Sequence, residues 1–175
     1  LGATHHCPSD INTIKNIPNF QILIPGHPKE FKKLFKSTYN NNFPTYTRLS
    51  ETPNSFNINV EFGKAKLIKK NTKDLLVIVF GDMLEDTIKA TSDLPITILY
   101  YTTLEPFDTF ALKKYFKKKI LIISQFYSGS VENDVLNSLG DRSIVLKSLS
   151  IPKKFIHKYG SKKEIKKYLK IDQTS

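Results

Sequence analysis

Cysteine and long apolar runs are scarce in this 175-residue chain, and each scarcity excludes a class of protein. Cys7 is the only cysteine, so no internal disulfide can form, and the sequence fits a reducing compartment. Apolar runs such as Leu75 to Phe80 are about a strand long, far below the roughly 20 residues of a membrane-spanning helix. We therefore expect a cytoplasmic protein without a disulfide framework or a membrane span.

Arginine is also scarce, which bears on the net charge of +11. Such a charge attracts phosphate-rich partners, but Arg48 and Arg142 are the only arginines among 27 basic residues. Base readout and phosphate clamps favour arginine, whereas the lysines are scattered over nearly every predicted helix. The composition therefore favours solvated helix faces over a nucleic-acid surface. The run from Lys153 to Lys170, with eight lysines and one glutamate, is the stretch to test for polyanion binding.

Short apolar runs alternate with helix-periodic runs, a pattern typical of parallel βαβ units. Residues 1–50 supply two strands with helices, and we interpret them as part of a larger sheet. A polar, proline-containing linker follows over residues 51–61. Residues 62–175 carry five strands with interleaved helices, and a capping box at Ser161 and Glu164 opens the last helix. The predicted strands are Gln21–Ile24, Pro44–Leu49, Lys64–Lys69, Leu75–Phe80, Ile96–Tyr101, Ile120–Ser124 and Ile144–Leu149. Alternation along Pro44–Leu49 puts Thr45 and Thr47 on one face of the strand and Tyr46 and Arg48 on the other.

This pattern predicts an α/β fold, with a doubly wound, mostly parallel five-stranded sheet that follows a partial α/β segment. The common catalytic motifs (P-loop, GxSxG, CxxC and HExxH) do not occur. The stretch from Val79 to Ala90 has the strand, turn and helix order of a phosphate loop. Its single glycine and Asp82 argue against phosphate binding there.

Chemically reactive side chains gather near the start of the sequence. Pro8 suits the first turn of a helix, whose positive end would accommodate Asp10. His5 and His6 would then lie on a turn immediately before a helix N-terminus, where catalytic groups are often displayed. On spacing alone, a functional and a structural role fit these histidines equally well. The four histidines are too dispersed to specify a metal site, and a lone cysteine such as Cys7 is more often inert than nucleophilic.

A series of motifs resembles the transketolase family. The segments similar to the later part of its pyrimidine-binding domain are Gly2-Ala3-Thr4-His5-His6, Asp10-Ile11, Ile17-Pro18-Asn19, Ile24-Pro25 with Glu30, and Tyr46-Thr47-Arg48. Those similar to its C-terminal domain are Thr102–Asp108 (TTLEPFD), Ser150-Ile151-Pro152, Tyr159-Gly160-Ser161 and Leu169–Asp172. The series spans essentially the whole chain in the order of the family, and it is more specific than any one motif.

The resemblance implies roles for individual segments and residues. Residues 1–50 would be the C-terminal part of a pyrimidine-binding domain, 51–61 a linker, and 62–175 a transketolase C-terminal domain. His5 would lie beside the cofactor, where an imidazole can hydrogen-bond a substrate hydroxyl and move protons near neutral pH. Arg48 would hold the sugar phosphate through a forked, charge-assisted contact, and His6 would be a supporting substrate-binding residue.

The resemblance also implies an incomplete active site. The family's catalytic glutamate and its metal- and diphosphate-binding segment have no counterpart in this sequence. We therefore expect thiamine diphosphate and magnesium to bind the complete enzyme and neither to bind this chain alone.

We interpret the chain as the C-terminal section of a transketolase-type enzyme, which transfers a two-carbon ketol unit between phosphorylated sugars. Its expected partners are an N-terminal section or subunit, those sugars, and a second copy in a homodimer. Two alternatives stay open: a section of deoxyxylulose-phosphate synthase, and a non-catalytic assembly or regulatory subunit. Whether this chain alone is an enzyme also stays open.

Overall fold

The longest apolar runs of the chain become the central strands of a five-stranded sheet in the computed structural model, which describes residues 7–172. The strands are β1 (Gln21–Leu23), β2 (Thr45–Thr47), β3 (Lys66–Lys69), β4 (Leu75–Phe80), β5 (Thr97–Tyr101), β6 (Thr103–Glu105), β7 (Lys119–Tyr127) and β8 (Val145–Ile151). The helices are α1 (Asp10–Ile14), α2 (Pro28–Thr38), α3 (Leu84–Ala90, preceded by a 3-10 turn at Gly81–Met83), α4 (Thr109–Lys114), α5 (Glu132–Leu139) and α6 (Lys162–Leu169).

The larger sheet has the strand order β3-β5-β4-β7-β8. β3 runs antiparallel to β5, and the other neighbours are parallel. Successive side chains of a strand point to opposite faces, and on β4 both faces are buried. Leu76, Ile78 and Phe80 enter one hydrophobic core, whereas Val77 and Val79 enter the other. The predicted fold, a mostly parallel five-stranded sheet covered on both faces, is confirmed.

A second, three-stranded sheet has the order β2-β1-β6. β1 is parallel to β2 and antiparallel to β6. The sequence predicts β1 and β2, but it does not predict β6, because only Thr102 separates β6 from β5 and no turn residue marks the break. Residues 7–50 therefore share a sheet, through β1 and β2, with a strand from the segment that follows β5. The division of the chain at residues 50 and 62 stays a prediction.

The stretch over residues 51–61 is anchored through Asn54, which is 4% exposed. Its backbone N–H donates to the Gly26 carbonyl at 2.8 Å, and its Nδ2 donates to the Gly81 carbonyl at 3.2 Å. The Oδ1 atom of Asn54 accepts from the backbone N–H of Glu85 at 3.2 Å. The backbone of Asn54 thus binds the turn after β1, and its buried side-chain amide, satisfied at both ends, joins the 3-10 turn to the start of α3.

A buried carboxylate lies at the same junction. Glu30 is 1% exposed, and its Oε2 accepts from the Gly26 N–H at 2.8 Å and from the Tyr100 hydroxyl at 2.7 Å. Its Oε1 accepts from the Ile58 N–H at 2.8 Å. Burial, followed by the negative charge of Glu30, raises the pKa of Tyr100, which therefore stays a donor. Gly26 is needed here, because an added Cβ would lie within 2.5 Å of the Gly81 carbonyl.

We predict that Glu30→Gln lowers the free energy of unfolding by about 1–3 kcal/mol. If the amide oxygen replaces Oε2, the amide NH₂ faces the Ile58 N–H, and that buried donor loses its acceptor. Urea unfolding of both proteins measures the difference. Glu51→Gln is the control, because Glu51 is exposed and the change should stay within about 0.5 kcal/mol. Equal stability of the two variants would contradict this account of the junction.

Candidate functional site

A cleft of about 510 Å³ lies where strands of both sheets end. Ile24 follows β1, Arg48 follows β2, and Asp82 lies just beyond β4 on its wall. Gln125 and Phe126, near the end of β7, line another side. Ligands of α/β proteins commonly bind outside the carboxyl ends of parallel strands, so this cleft is the candidate site.

Helix α6 closes one side of the cleft. Ile165, Lys166 and Leu169 line it, and the Nζ atom of Lys166 lies 2.7 Å from Oδ2 of Asp86, just inside α3. The capping box predicted at Ser161 and Glu164 is present at the start of this helix. Part of the run from Lys153 to Lys170 therefore forms a wall of the cleft.

The guanidinium of Arg48 is held at the cleft wall by two protein groups. Its Nη1 forms an ion pair with Oδ2 of Asp10, and its Nη2 donates to the Gln125 carbonyl at 2.9 Å. The Arg48 backbone N–H also donates to the Leu23 carbonyl at 2.9 Å, which fixes this residue beside the end of β1. The structure thus places Arg48 in a cleft formed by distant parts of the chain, and its substrate-binding role stays a prediction.

Tyr46 completes the arrangement behind Arg48. Its hydroxyl donates to Oδ2 of Asp10 at 2.7 Å, so one carboxylate oxygen serves both the phenol and the guanidinium. Burial raises the pKa of Tyr46 to about 12, and the hydrogen bond to Asp10 and the charge of Asp10 act in the same direction. The hydroxyl therefore stays protonated, and stays a donor, well above neutral pH.

The other two predicted site residues, His5 and His6, lie outside the described residues, and their roles stay predictions. Cys7 lines the cleft, and its Sγ lies 3.7 Å from Oγ of Ser9. The contact between Asp10 and Arg48 was not predicted, although alternation along Pro44–Leu49 places Tyr46 and Arg48 on one strand face. No pattern in the sequence relates that face to Asp10.

The described residues do not fit a metal–diphosphate group. Between residues 7 and 172, no group of three or more His, Cys, Asp or Glu side chains could hold a metal ion. A magnesium ion that binds a diphosphate is usually held by protein oxygen ligands, carboxylates above all. In the same part of the chain, no helix is long and apolar enough to span a bilayer.

Sequence comparisons find relatives along nearly the whole chain. It is 26% identical over 183 residues to 1-deoxy-D-xylulose-5-phosphate synthase of Histophilus somni, which covers 98% of the chain and 29% of that enzyme. It is 29% identical over 155 residues to an uncharacterized 33.6 kDa protein in the fasciation locus of Rhodococcoides fascians, covering 86% of the chain and 49% of that protein. The chain thus spans half or less of these relatives. No protein-family model matches it.

Solved structures with the same fold include transketolases. A split gene transketolase, described as an inactive β4 tetramer, has a TM-score of 0.85 at 17% identity, covering 99% of this chain and 60% of that one. Transketolase from Campylobacter jejuni has a TM-score of 0.78 at 16% identity, covering 99% and 28%. The fold is therefore one that transketolases contain. Together with the sequence relatives, it agrees with the resemblance to the transketolase family that the motifs indicate.

We predict that Tyr46 ionises about two pH units above an ordinary tyrosine, near pH 12. The folded protein keeps a proton that the unfolded chain releases near pH 10. The stabilising contribution of Tyr46 is therefore complete below pH 10 and is lost as the pH rises towards 12. The ultraviolet difference spectrum between the wild type and Tyr46→Phe isolates this phenol during an alkaline titration. Ionisation of Tyr46 at pH 10 in the folded protein would contradict the burial and the contact with Asp10.

Proposed function

We propose that this chain is the C-terminal section of a thiamine-diphosphate-dependent, transketolase-type enzyme that transfers a two-carbon ketol unit between phosphorylated sugars. The observation that carries the proposal is Arg48, oriented at the wall of a 510 Å³ cleft. The similarity to the family along nearly the whole chain supports it.

In this proposal Arg48 binds the phosphate of the sugar. A guanidinium has five N–H donors in a planar fork, and the contacts with Asp10 and Gln125 leave donors for a ligand. Its charge is permanent, so phosphate binding would not depend on the protonation of Arg48. A forked contact also fixes the orientation of the phosphate, and with it the position of the sugar.

His5 and His6 are proposed as the neighbouring substrate-binding residues. His5 would hydrogen-bond a substrate hydroxyl and move a proton during the reaction, and His6 would support it. The position of Cys7 in the cleft lining supports this assignment, because Cys7 follows His6 directly in the chain.

We infer that thiamine diphosphate and magnesium are held by residues of the complete enzyme outside this chain. We also infer that an N-terminal section or subunit completes the smaller sheet. Among residues 7–172, β2 pairs with β1 alone, so its other edge could receive a further strand. The fold neighbour from a split gene, described as an inactive β4 tetramer, supports a separate partner chain. The complete enzyme is proposed to be a cytoplasmic homodimer.

A second candidate is a section of 1-deoxy-D-xylulose-5-phosphate synthase, which is the name of several curated relatives. A third candidate is a non-catalytic assembly subunit, for which the described inactivity of the β4 tetramer is the supporting observation. Arg48 has a substrate-binding role in the first two candidates only, so its substitution separates them from the third.

We predict that Arg48→Ala in the complete enzyme raises the KM of phosphorylated acceptors roughly 10- to 150-fold. This is the loss of a charge-assisted contact of about 1.5–3 kcal/mol. Steady-state kinetics with phosphorylated and unphosphorylated acceptors measures it, and the unphosphorylated acceptor should be affected far less.

Arg142→Ala is the matched control, since Arg142 is the only other arginine and lies over the Phe116 ring, 5.0 Å from its centroid. An equal loss for both kinds of acceptor in Arg48→Ala would contradict the phosphate role.

We further predict that this chain alone does not bind thiamine diphosphate with magnesium. The described residues offer no group of metal-ligating side chains. Isothermal titration calorimetry on the chain, with and without its N-terminal section, is the measurement. Tight binding by the chain alone would contradict the assignment of the cofactor to the rest of the enzyme.

A further inference from the structure

We propose that Asp10 is a positioning residue, whose carboxylate holds the Arg48 guanidinium in one orientation before a phosphate arrives. This inference rests on the proposed function, which makes Arg48 the phosphate-binding residue. Asp10 itself does not line the cleft, so it would act through Arg48 and not by touching the ligand.

Two contacts on different nitrogens fix the guanidinium plane. Nη1 is bound by Asp10, from the first turn of α1, and Nη2 by the Gln125 carbonyl of β7. A single contact would let the planar group rotate about the bonded nitrogen, whereas two contacts from different elements leave it one orientation. Asp10 and Gln125 therefore determine which edge of the Arg48 guanidinium borders the cleft.

Asp10 is itself held in place. Tyr46 donates to the same Oδ2 atom at 2.7 Å, and the Asp10 side chain is 11% exposed against 24% for Arg48. At this burial, solvent ions screen the pair less than they would on the surface. The carboxylate lies behind the guanidinium, away from bulk water.

Helix α1, which carries Asp10, is joined at one end to β7 and at the other to α5 and the turn before it. Before the helix, the Pro8 carbonyl accepts from the Tyr127 N–H at 3.0 Å. After it, Lys15 forms an ion pair with Asp134 and donates to the Ser130 carbonyl at 3.0 Å. The position of Asp10 relative to Gln125 is therefore determined by several contacts, which a positioning role requires.

The negative charge of Asp10 has two opposite effects on phosphate binding. It repels the incoming anion, and it removes the cost of ordering a flexible arginine when the anion binds. The positive charge of Arg48 offsets the negative charge of Asp10, and the Tyr46 hydroxyl donates to the same carboxylate. Both contacts reduce the repulsion between Asp10 and the incoming phosphate. We therefore expect the ordering effect to be the larger.

The first experiment titrates inorganic phosphate into the chain and its variants, followed by ³¹P NMR. Asp10→Asn should weaken binding about twofold to tenfold, the range for ordering one long side chain on binding. Asp10→Glu, which keeps the charge, should recover part of the loss, and Tyr46→Phe should give a smaller loss than Asp10→Asn. Tighter binding by Asp10→Asn would show that repulsion is the larger effect and would overturn the proposal.

A second experiment needs no ligand. In the ¹⁵N NMR spectrum of the side chains, the guanidinium of Arg48 should rotate slowly in the wild type and faster in Asp10→Asn. Glu61→Gln is the control, because it removes a carboxylate from another ion pair, with Lys66, and should leave Arg48 unchanged. Thermal unfolding identifies any variant that fails to fold. Slow rotation of Arg48 in a folded Asp10→Asn protein would also overturn the proposal.

Arg48→Gln separates this inference from the proposed function. If phosphate binding is unchanged in Arg48→Gln, the phosphate role of Arg48 fails, and the role of Asp10 fails with it. If Arg48→Gln abolishes binding while Asp10→Asn has no effect, the phosphate role stands and only the positioning role is overturned. If the wild-type chain binds no phosphate on its own, the rotation of Arg48 decides the positioning role.

Discussion

The buried carboxylate of Glu30 is the constraint on which the arrangement of this protein depends. A buried charge has no water to solvate it, so it needs protein donors, and Glu30 takes them from Gly26, Ile58 and Tyr100. These residues belong to the turn after β1, the stretch over 51–61, and β5. One anion therefore keeps the ends of two sheets side by side, and the cleft lies between those ends.

At the cleft, a partly buried cation, Arg48, joins the two sheets in the same way. Arg48 lies at the end of one sheet and is bound by Gln125 from the other, with Asp10 from α1 as the counterion. Moving either sheet would break a contact of a partly buried charge, which is costly when the partner charge is left unpaired. The geometry around Arg48 thus depends on the junction at Glu30, although Glu30 itself does not line the cleft.

The chain matches only part of the length of its relatives. The chain spans 29% of a deoxyxylulose-phosphate synthase and 60% of a split gene transketolase, while nearly all of it matches each. We propose that a section of this kind supplies an oriented phosphate-binding group, Arg48, at the wall of its cleft. Cofactor binding and turnover are properties that we propose for the complete enzyme, to which this section contributes Arg48 and the adjoining segment with His5 and His6.

Local patterns were enough to predict most elements. Alternation along Pro44–Leu49 predicted β2 and the shared face of Tyr46 and Arg48, and apolar runs predicted the central strands, because such patterns depend on neighbouring residues. β6 was missed, since only Thr102 separates it from β5 and no turn residue marks the break. By itself, the sequence determined the order of elements, the buried faces and the family motifs. Only the tertiary structure decided that Asp10 meets Arg48 and that Glu30 meets Tyr100, because contacts between distant residues arise from packing that no local pattern encodes.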